Sequence, residues 1–270
     1  MINVLVVDDS LVVAEFLCHL LRADSEIHVV GIAHNGEKAI QAAMRHKPDV
    51  ITMDIHMPEM NGFEATRRIM ETVPTPIVIV SSSFDPKEVT KTFLAIEAGA
   101  LAIVGKPKGI GHPDLEQTAR ELIQTIKLMS EVKVVRRWPK KKEGVSVIEP
   151  KLVLKRTTEI QVVAIGASTG GPIVLQTILA LLPRNFSAPV LIVQHMASGF
   201  TQGFAEWLTE TTGFPVHLAV DGQNPRSGNA YVAPDGFHMK LDRTNRIALT
   251  TDKPENGLRP SASYLLRSVV

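Results

Sequence analysis

The chain is nearly without cysteine. Cys18 is the only one in 270 residues, which excludes a disulfide framework and a thiolate metal site. It falls in the apolar pattern of the first helix and reads as a small core residue. An excess of one charge is missing too. The formal net charge is +1, so the global balance does not point to nucleic acid as a partner. No apolar run approaches the length needed to span a bilayer. The N-terminus opens directly into a strand, without a basic leader or a cleavage site. A cytoplasmic protein with no membrane insertion is expected. What is present is material for packed cores: 44% hydrophobic against 21% charged residues, in a chain long enough for two domains of ordinary size.

Charge is unevenly spread. Residues 1–129 hold 12 basic and 17 acidic residues, residues 130–158 hold 9 and 3, and residues 159–270 hold 8 of each. The middle stretch lacks an apolar period and carries Arg136-Arg137, Lys140-Lys141-Lys142, Pro139 and Pro150. It reads as a basic, solvated linker. Trp138 is its only aromatic residue, too few for stacking recognition of nucleic acid.

Residues 1–129 alternate strand and helix. Strands are expected at 2–7, 27–33, 49–53, 76–80 and 101–104, and helices at 10–22, 35–46, 61–71, 86–97 and 113–129. Nearly continuous Val/Ile/Leu strands indicate a five-stranded, doubly wound parallel sheet covered on both faces. Asn35 and Asp85 read as N-caps, the latter followed by Pro86 and Glu88. A second α/β domain, 159–270, is expected from strands at 160–165, 190–194 and 216–220 with helices at 171–182 and 199–212. Shorter pieces at 229–233, 237–241 and 246–250 read as an antiparallel extension, and Ser261–Val270 as an amphipathic helix. That last pattern has neither a Gly stop nor a polar tail, so a parallel-sheet, Rossmann-like domain incomplete at its C-terminus is expected.

Asp8 and Asp9 end the first strand and Asp54 ends the third. In a doubly wound sheet these strand ends meet at one crevice. Three converging carboxylates repel one another, and a hard divalent cation such as magnesium resolves this while leaving room for phosphate. Ser81 and Ser82 follow the fourth strand and Lys106 the fifth, so a hydroxyl and an ammonium stand ready for phosphoryl oxygens. Asp54 suits the nucleophile, because aspartate forms acyl phosphates. Helix capping accounts for Asp8 or Asp9 alone, but not for Asp54 and Lys106 as well. At Val6-Val7-Asp8-Asp9-Ser10, Met53-Asp54-Ile55-His56-Met57-Pro58, Asn61-Gly62 and Lys106-Pro107 the segment resembles a response-regulator receiver domain. The resemblance implies phosphorylation of Asp54 by the histidine kinase of a two-component system. It also implies Mg²⁺ held by Asp8, Asp9, Asp54 and the His56 carbonyl. The switch hydroxyl falls on Ser81, within the run Ser81-Ser82-Ser83.

In the second half, Gly166-Ala167-Ser168-Thr169-Gly170-Gly171 follows an apolar strand and precedes a helix. Such a turn lifts a hydroxyl out of the sheet and surrounds it with unpaired backbone N–H groups. Ser168 needs a base to act as nucleophile, and His195 stands at the end of the next strand. The N–H groups of Thr169 and Gly170 are oxyanion-hole candidates. Phosphate cradling is the rival reading, but the loop has neither a P-loop ending nor dinucleotide spacing. His217 and His238 read as surface or satisfied residues, His112 as lying near the start of the last helix of the first domain, and none has zinc spacing.

The region resembles the catalytic domain of chemotaxis receptor methylesterases (the CheB family). The resemblance is carried by Ala164 to Gly171, Gln194-His195-Met196, Gly199-Phe200-Thr201, Gly228 to Pro234, His238-Met239 and Arg259-Pro260-Ser261. It implies that Ser168 attacks a glutamyl methyl ester on a chemoreceptor's cytoplasmic helix with His195 as proton relay, and that receptor glutamines are deamidated. It implies no cofactor for the esterase. Leu258 replaces the histidine usual in the family. The family's triad aspartate belongs to a Gly-Met-Gly-x-Asp-Gly-type segment that this chain lacks, and Asp221 is the best internal substitute. Without an orienting carboxylate the rate is expected to fall roughly 10⁴-fold. The alternative is therefore a catalytically impaired, phospho-regulated binding protein. A DNA-binding output is set aside, since no helix-turn-helix with a basic recognition face follows residue 130.

Overall fold

The computed structural model describes residues 1–81, 86–135 and 160–269, with the backbone alone for 86–91. Ser82, Ser83, the Asp85 cap, and the basic stretch with Trp138 lie outside the described residues. The N-terminal unit runs β1 (Ile2–Val7), α1 (Leu11–Arg22), β2 (Ile27–Ala33), α2 (Gly36–His46), β3 (Val50–Met53), α3 (Gly62–Thr72), β4 (Ile77–Ser81), α4 (Pro86–Ala98), β5 (Ala102–Gly105) and α5 (Leu115–Ser130). Its strands form one parallel sheet in the order β2-β1-β3-β4-β5. Every residue of β3 and β4 is buried, as a strand covered on both faces requires. Alternate side chains go to opposite cores. Leu5, Val7, Ile51 and Met53 pack with α2, α3 and α4, whereas Val4, Val6, Val50 and Val78 pack with α1 and α5. Cys18 is fully buried in the second of these cores.

Asn35 caps α2 by accepting from Lys38 N at 2.9 Å. The cap of α1 is Ser10, which accepts from Val13 N, and Asp8 and Asp9 are therefore not needed for that task.

The C-terminal unit runs β6 (Val163–Ala167), α6 (Gly171–Leu181), β7 (Val190–Gln194), α7 (Thr201–Thr212), β8 (Val216–Leu218), β9 (Ala230–Val232), β10 (His238–Leu241), β11 (Ile247–Thr250) and α8 (Ala262–Leu266). Its parallel sheet has the order β6-β7-β9-β8. Three expectations need correction. The first strand runs up to Ala167 rather than ending at 165, because Gly166 and Ala167 keep the ladder with Val193 and Gln194. The piece at 229–233 does not belong to an antiparallel extension. As β9 it lies parallel between β7 and β8 with all three residues buried, and only β10 and β11 pair antiparallel. The last helix is confined to Ala262–Leu266, capped by the Ser261 hydroxyl.

Helix α4 joins the two units. Phe93 stacks on Trp207 of α7 (centroids 5.2 Å apart, 22° between planes) and meets Phe204 at 5.3 Å. Glu97 Oε1 accepts from Trp207 Nε1 at 3.0 Å and from Gln176 Nε2 at 2.9 Å. The apolar core of α2–α4 thus continues into that of α6 and α7.

Candidate active site

Two constellations stand at the carboxyl edges of the two parallel sheets. In the first, Asp8 and Asp54 are buried and Asp9 is exposed. One oxygen from each carboxylate lies within 4.8 Å of the others, a donor set of hard oxygens. Lys106 Nζ approaches Asp8 Oδ2 at 2.7 Å and donates to Asp54 Oδ2 at 3.0 Å. Burial raises the Asp8 pKa, with the Lys106 contact working against it. Burial alone would lower the Lys106 pKa, but the carboxylates of Asp8 and Asp54 outweigh it and leave it raised.

Asp54 Oδ1 accepts from Ile55 N at 2.8 Å, which leaves Oδ2 toward the lysine. Ser81 is fully buried at the end of β4, and its carbonyl accepts from Lys106 N at 2.8 Å. The turn that carries exposed His56 closes through Gly62 N donating to Ile55 O at 3.0 Å. A Cβ at Gly62 would stand 1.9 Å from the Asp54 carbonyl, so only glycine fits there.

The second constellation rests on the β6–β7 register. Ala167 pairs with Gln194, and His195 N donates to Ala167 O at 2.9 Å, so Ser168 and His195 leave the sheet side by side. Gly170 adopts φ 75° before α6, a conformation that glycine takes without steric cost. Ser168, Thr169 and Gly170 are exposed. Gly171 N donates to Ser168 O at 2.8 Å, and is therefore unavailable to an oxyanion. The N–H groups of Thr169 and Gly170 make no hydrogen bond among the described residues. His195 Nε2 is buried without a partner, so no hydrogen bond joins it to the Ser168 hydroxyl. Burial lowers the His195 pKa, which favours the neutral, proton-accepting ring. Both residues line a cavity of about 240 Å³ whose other wall comes from β5, α4 and α5, including Ile103, Glu121 and Met129.

Two family descriptions match the chain: "Response regulator receiver domain" over residues 4–120 and "CheB methylesterase" over residues 163–270. A protein-glutamate methylesterase/protein-glutamine glutaminase of Nitrosospira multiformis is 55% identical over all of this chain and 76% of its own length. One from Geobacter metallireducens is 54% identical over all of this chain and 78% of its own length. The chain belongs to the CheB methylesterase family. A crystal structure of the response regulator domain of Thermotoga maritima CheB is 38% identical, covers 49% of this chain and 98% of that one, and has a TM-score of 0.45.

In this CheB-family chain, the structure brings together Asp8, Asp9, Asp54 and Lys106, and separately Ser168, Thr169, Gly170 and His195. Leu258 lines the cleft beside Ser168. Asp221 does not serve His195. It follows β8, on the far side of β9 from β7, and its Oδ1 accepts from Leu249 N at 2.8 Å. Asp235 follows β9, the strand that pairs with β7, but its Oδ2 accepts from Gly199 N at 2.7 Å and Thr201 Oγ1 at 3.1 Å. It anchors the start of α7 instead, and burial raises its pKa. Nothing in its spacing marks Asp235 in the sequence. His217 meets Asn229 at the surface. His238 is buried in β10, bonded to Lys253 O and accepting from Ser261 N, and its ring stacks on Tyr264. Among the described residues, no helix is long and apolar enough to cross a membrane.

Proposed function

We propose that the chain is a phosphorylation-gated serine esterase acting on methylated glutamates of chemoreceptor cytoplasmic helices, with glutamine deamidation at the same site. In this reading, residues 1–129 are the regulatory domain, 130–158 a basic linker and 159–270 the catalytic domain, and the protein works in the cytoplasm. The observation that carries it is the shared cavity: Ser168 and His195 face a wall built from β5 and α5. In this reading the wall narrows the approach of a substrate helix to Ser168, which is itself exposed. The relatives' printed names, protein-glutamate methylesterase/protein-glutamine glutaminase, supply the reaction class.

The chemistry follows from the residues. Ser168 Oγ attacks the ester carbonyl carbon while His195 takes its proton. The N–H groups of Thr169 and Gly170 receive the developing oxyanion. His195 returns the proton to the departing methoxide, methanol leaves, and water hydrolyses the acyl-serine by the same relay. In the regulatory domain, a histidine kinase of the chemotaxis system donates a phosphoryl group to Asp54. The carboxylates of Asp8, Asp9 and Asp54 fit Mg²⁺, since one hard oxygen from each lies within 4.8 Å of the others, and the His56 carbonyl is the fourth donor that this reading assigns. Bound there, the ion supplies charge neutralisation for the phosphoryl oxygens. Ser81 and Lys106 hold those oxygens, and the new charge biases the α4–β5–α5 surface away from the cleft.

The test is methanol release from methyl-labelled receptor membranes, with and without a phosphodonor. Release that rises with phosphodonor, and is lost in Ser168→Ala, is the expected result. Release that persists in Ser168→Ala overturns the proposal. A second reading, a docking protein with impaired esterase activity, rests on one observation: no carboxylate among the described residues bonds His195. It predicts no release from this chain in any condition, with phosphodonor labelling intact.

A further inference from the structure

Gln194 closes β7 and is 3% exposed. Its Nε2 donates to two backbone carbonyls, Ser168 O at 2.9 Å and His195 O at 2.8 Å. Its Oε1 is buried and has no partner. Turning the amide over would set oxygen against both carbonyls, so the two donors fix its orientation. An orphaned buried acceptor is costly, and this one is retained beside the nucleophile turn. Oε1 lies where a Cβ on Gly171 would stand, 2.0 Å from that position. The second glycine of the Gly170-Gly171 pair thus makes room for the Gln194 side chain.

The Ser168 carbonyl accepts twice, from Gln194 Nε2 and from Gly171 N at 2.8 Å. Both donors pull it toward the interior. A trans peptide is planar, and its N–H points opposite its C=O. Holding Ser168 C=O inward therefore aims the Thr169 N–H of the same peptide outward, toward the cleft. The same amide also holds the backbone of His195.

We propose that Gln194 is a positioning residue that orients the Ser168–Thr169 peptide as an oxyanion donor and ties it to the strand end carrying His195. The inference rests on the reading of Ser168 as the esterase nucleophile. Gln194 is 3% exposed beneath the turn, and the role assigned to it acts through the Ser168 and His195 backbone.

The test compares the full chain with Gln194→Met, which keeps the volume and loses the N–H donors, and with Ser168→Ala. The readouts are steady-state methanol release with phosphodonor, inhibition by phenylboronic acid (whose serine adduct carries a tetrahedral anionic centre), and cooperative melting. Expected is a fall in kcat of roughly 10- to 100-fold, part of what losing a whole oxyanion donor costs, with KM for receptor unchanged and boronate inhibition weakened by a similar factor. If Gln194→Met does not melt cooperatively, Gln194→Glu replaces it, keeping the shape while losing the amide donors. Wild-type kcat and boronate affinity in the folded variant would overturn the positioning role and leave Ser168 as nucleophile. A fall expressed only in KM would also overturn it. Activity surviving in Ser168→Ala, or no activity in the wild-type chain, overturns the esterase reading and this inference with it.

Discussion

The two sites stand at the same place on similar sheets, yet they are held in opposite ways. In the N-terminal unit, like charges are the organising fact. Buried Asp8 and Asp54 cannot stand together uncompensated, so Lys106 is held within 3.0 Å of both. The C-terminal site has no charge to balance. Ser168 and His195 are neutral, and their turns are fixed through backbone carbonyls and N–H groups rather than through bonds between the two side chains. A charged site must be locked in its resting state, whereas a neutral one needs only its supporting backbone in place. The first can therefore respond to one added charge, and the second can wait for access.

The largest expected effect tests the charged site. Asp54→Asn removes the carboxylate, so labelling by phosphodonor disappears and methanol release no longer responds to it. Lys106→Met leaves Asp8 and Asp54 facing each other without a cation. Stability falls by about 3 kcal/mol, the cost of stripping one partner from a buried pair. Millimolar Mg²⁺ recovers more of the melting temperature in the variant than in the wild type, and equal melting temperatures without metal would break the contrast.

Glu97→Ala acts on the joint between the sites. It leaves the buried Trp207 N–H without its acceptor, costs about 1–3 kcal/mol, and raises methanol release measured without phosphodonor. The smallest effect concerns pH at the neutral site. Burial lowers the His195 pKa from 6.5, so the acid limb of the methanol-release profile has its midpoint below 6.5. The unfolded chain binds this proton more readily than the folded one. This residue's contribution to stability is therefore complete above about 6.5 and declines as pH falls below it. A midpoint above 6.5 would place a carboxylate beside the ring.

Much of the fold was legible because parallel strands buried on both faces leave long Val/Ile/Leu runs. The strands of the N-terminal unit fall within one residue of their expected bounds. The acidic site was equally legible, since residues that end strands in an α/β sheet converge by topology. The β9 segment misled, because three short residues, Ala230-Tyr231-Val232, carry no sign of which neighbours they will have. Gln194 was visible only as a flanking residue of His195. Its reach to Ser168, twenty-six positions away, depends on the β6–β7 register. The joint through Phe93, Glu97 and Trp207 had no local signal, because an aromatic residue on a helix reads as core whichever unit supplies the partner.

The sequence by itself determined the two α/β units, the carboxylate crevice and the Ser168 turn, because periodicity, turn chemistry and charge repulsion act over short stretches of chain. Tertiary structure alone decided that β9 enters the central sheet, that Asp221 and Asp235 hold backbone rather than the His195 ring, and that β5 and α5 wall the serine cleft. Those outcomes depend on which buried surfaces find one another across tens of residues, and that pairing is written in no local pattern.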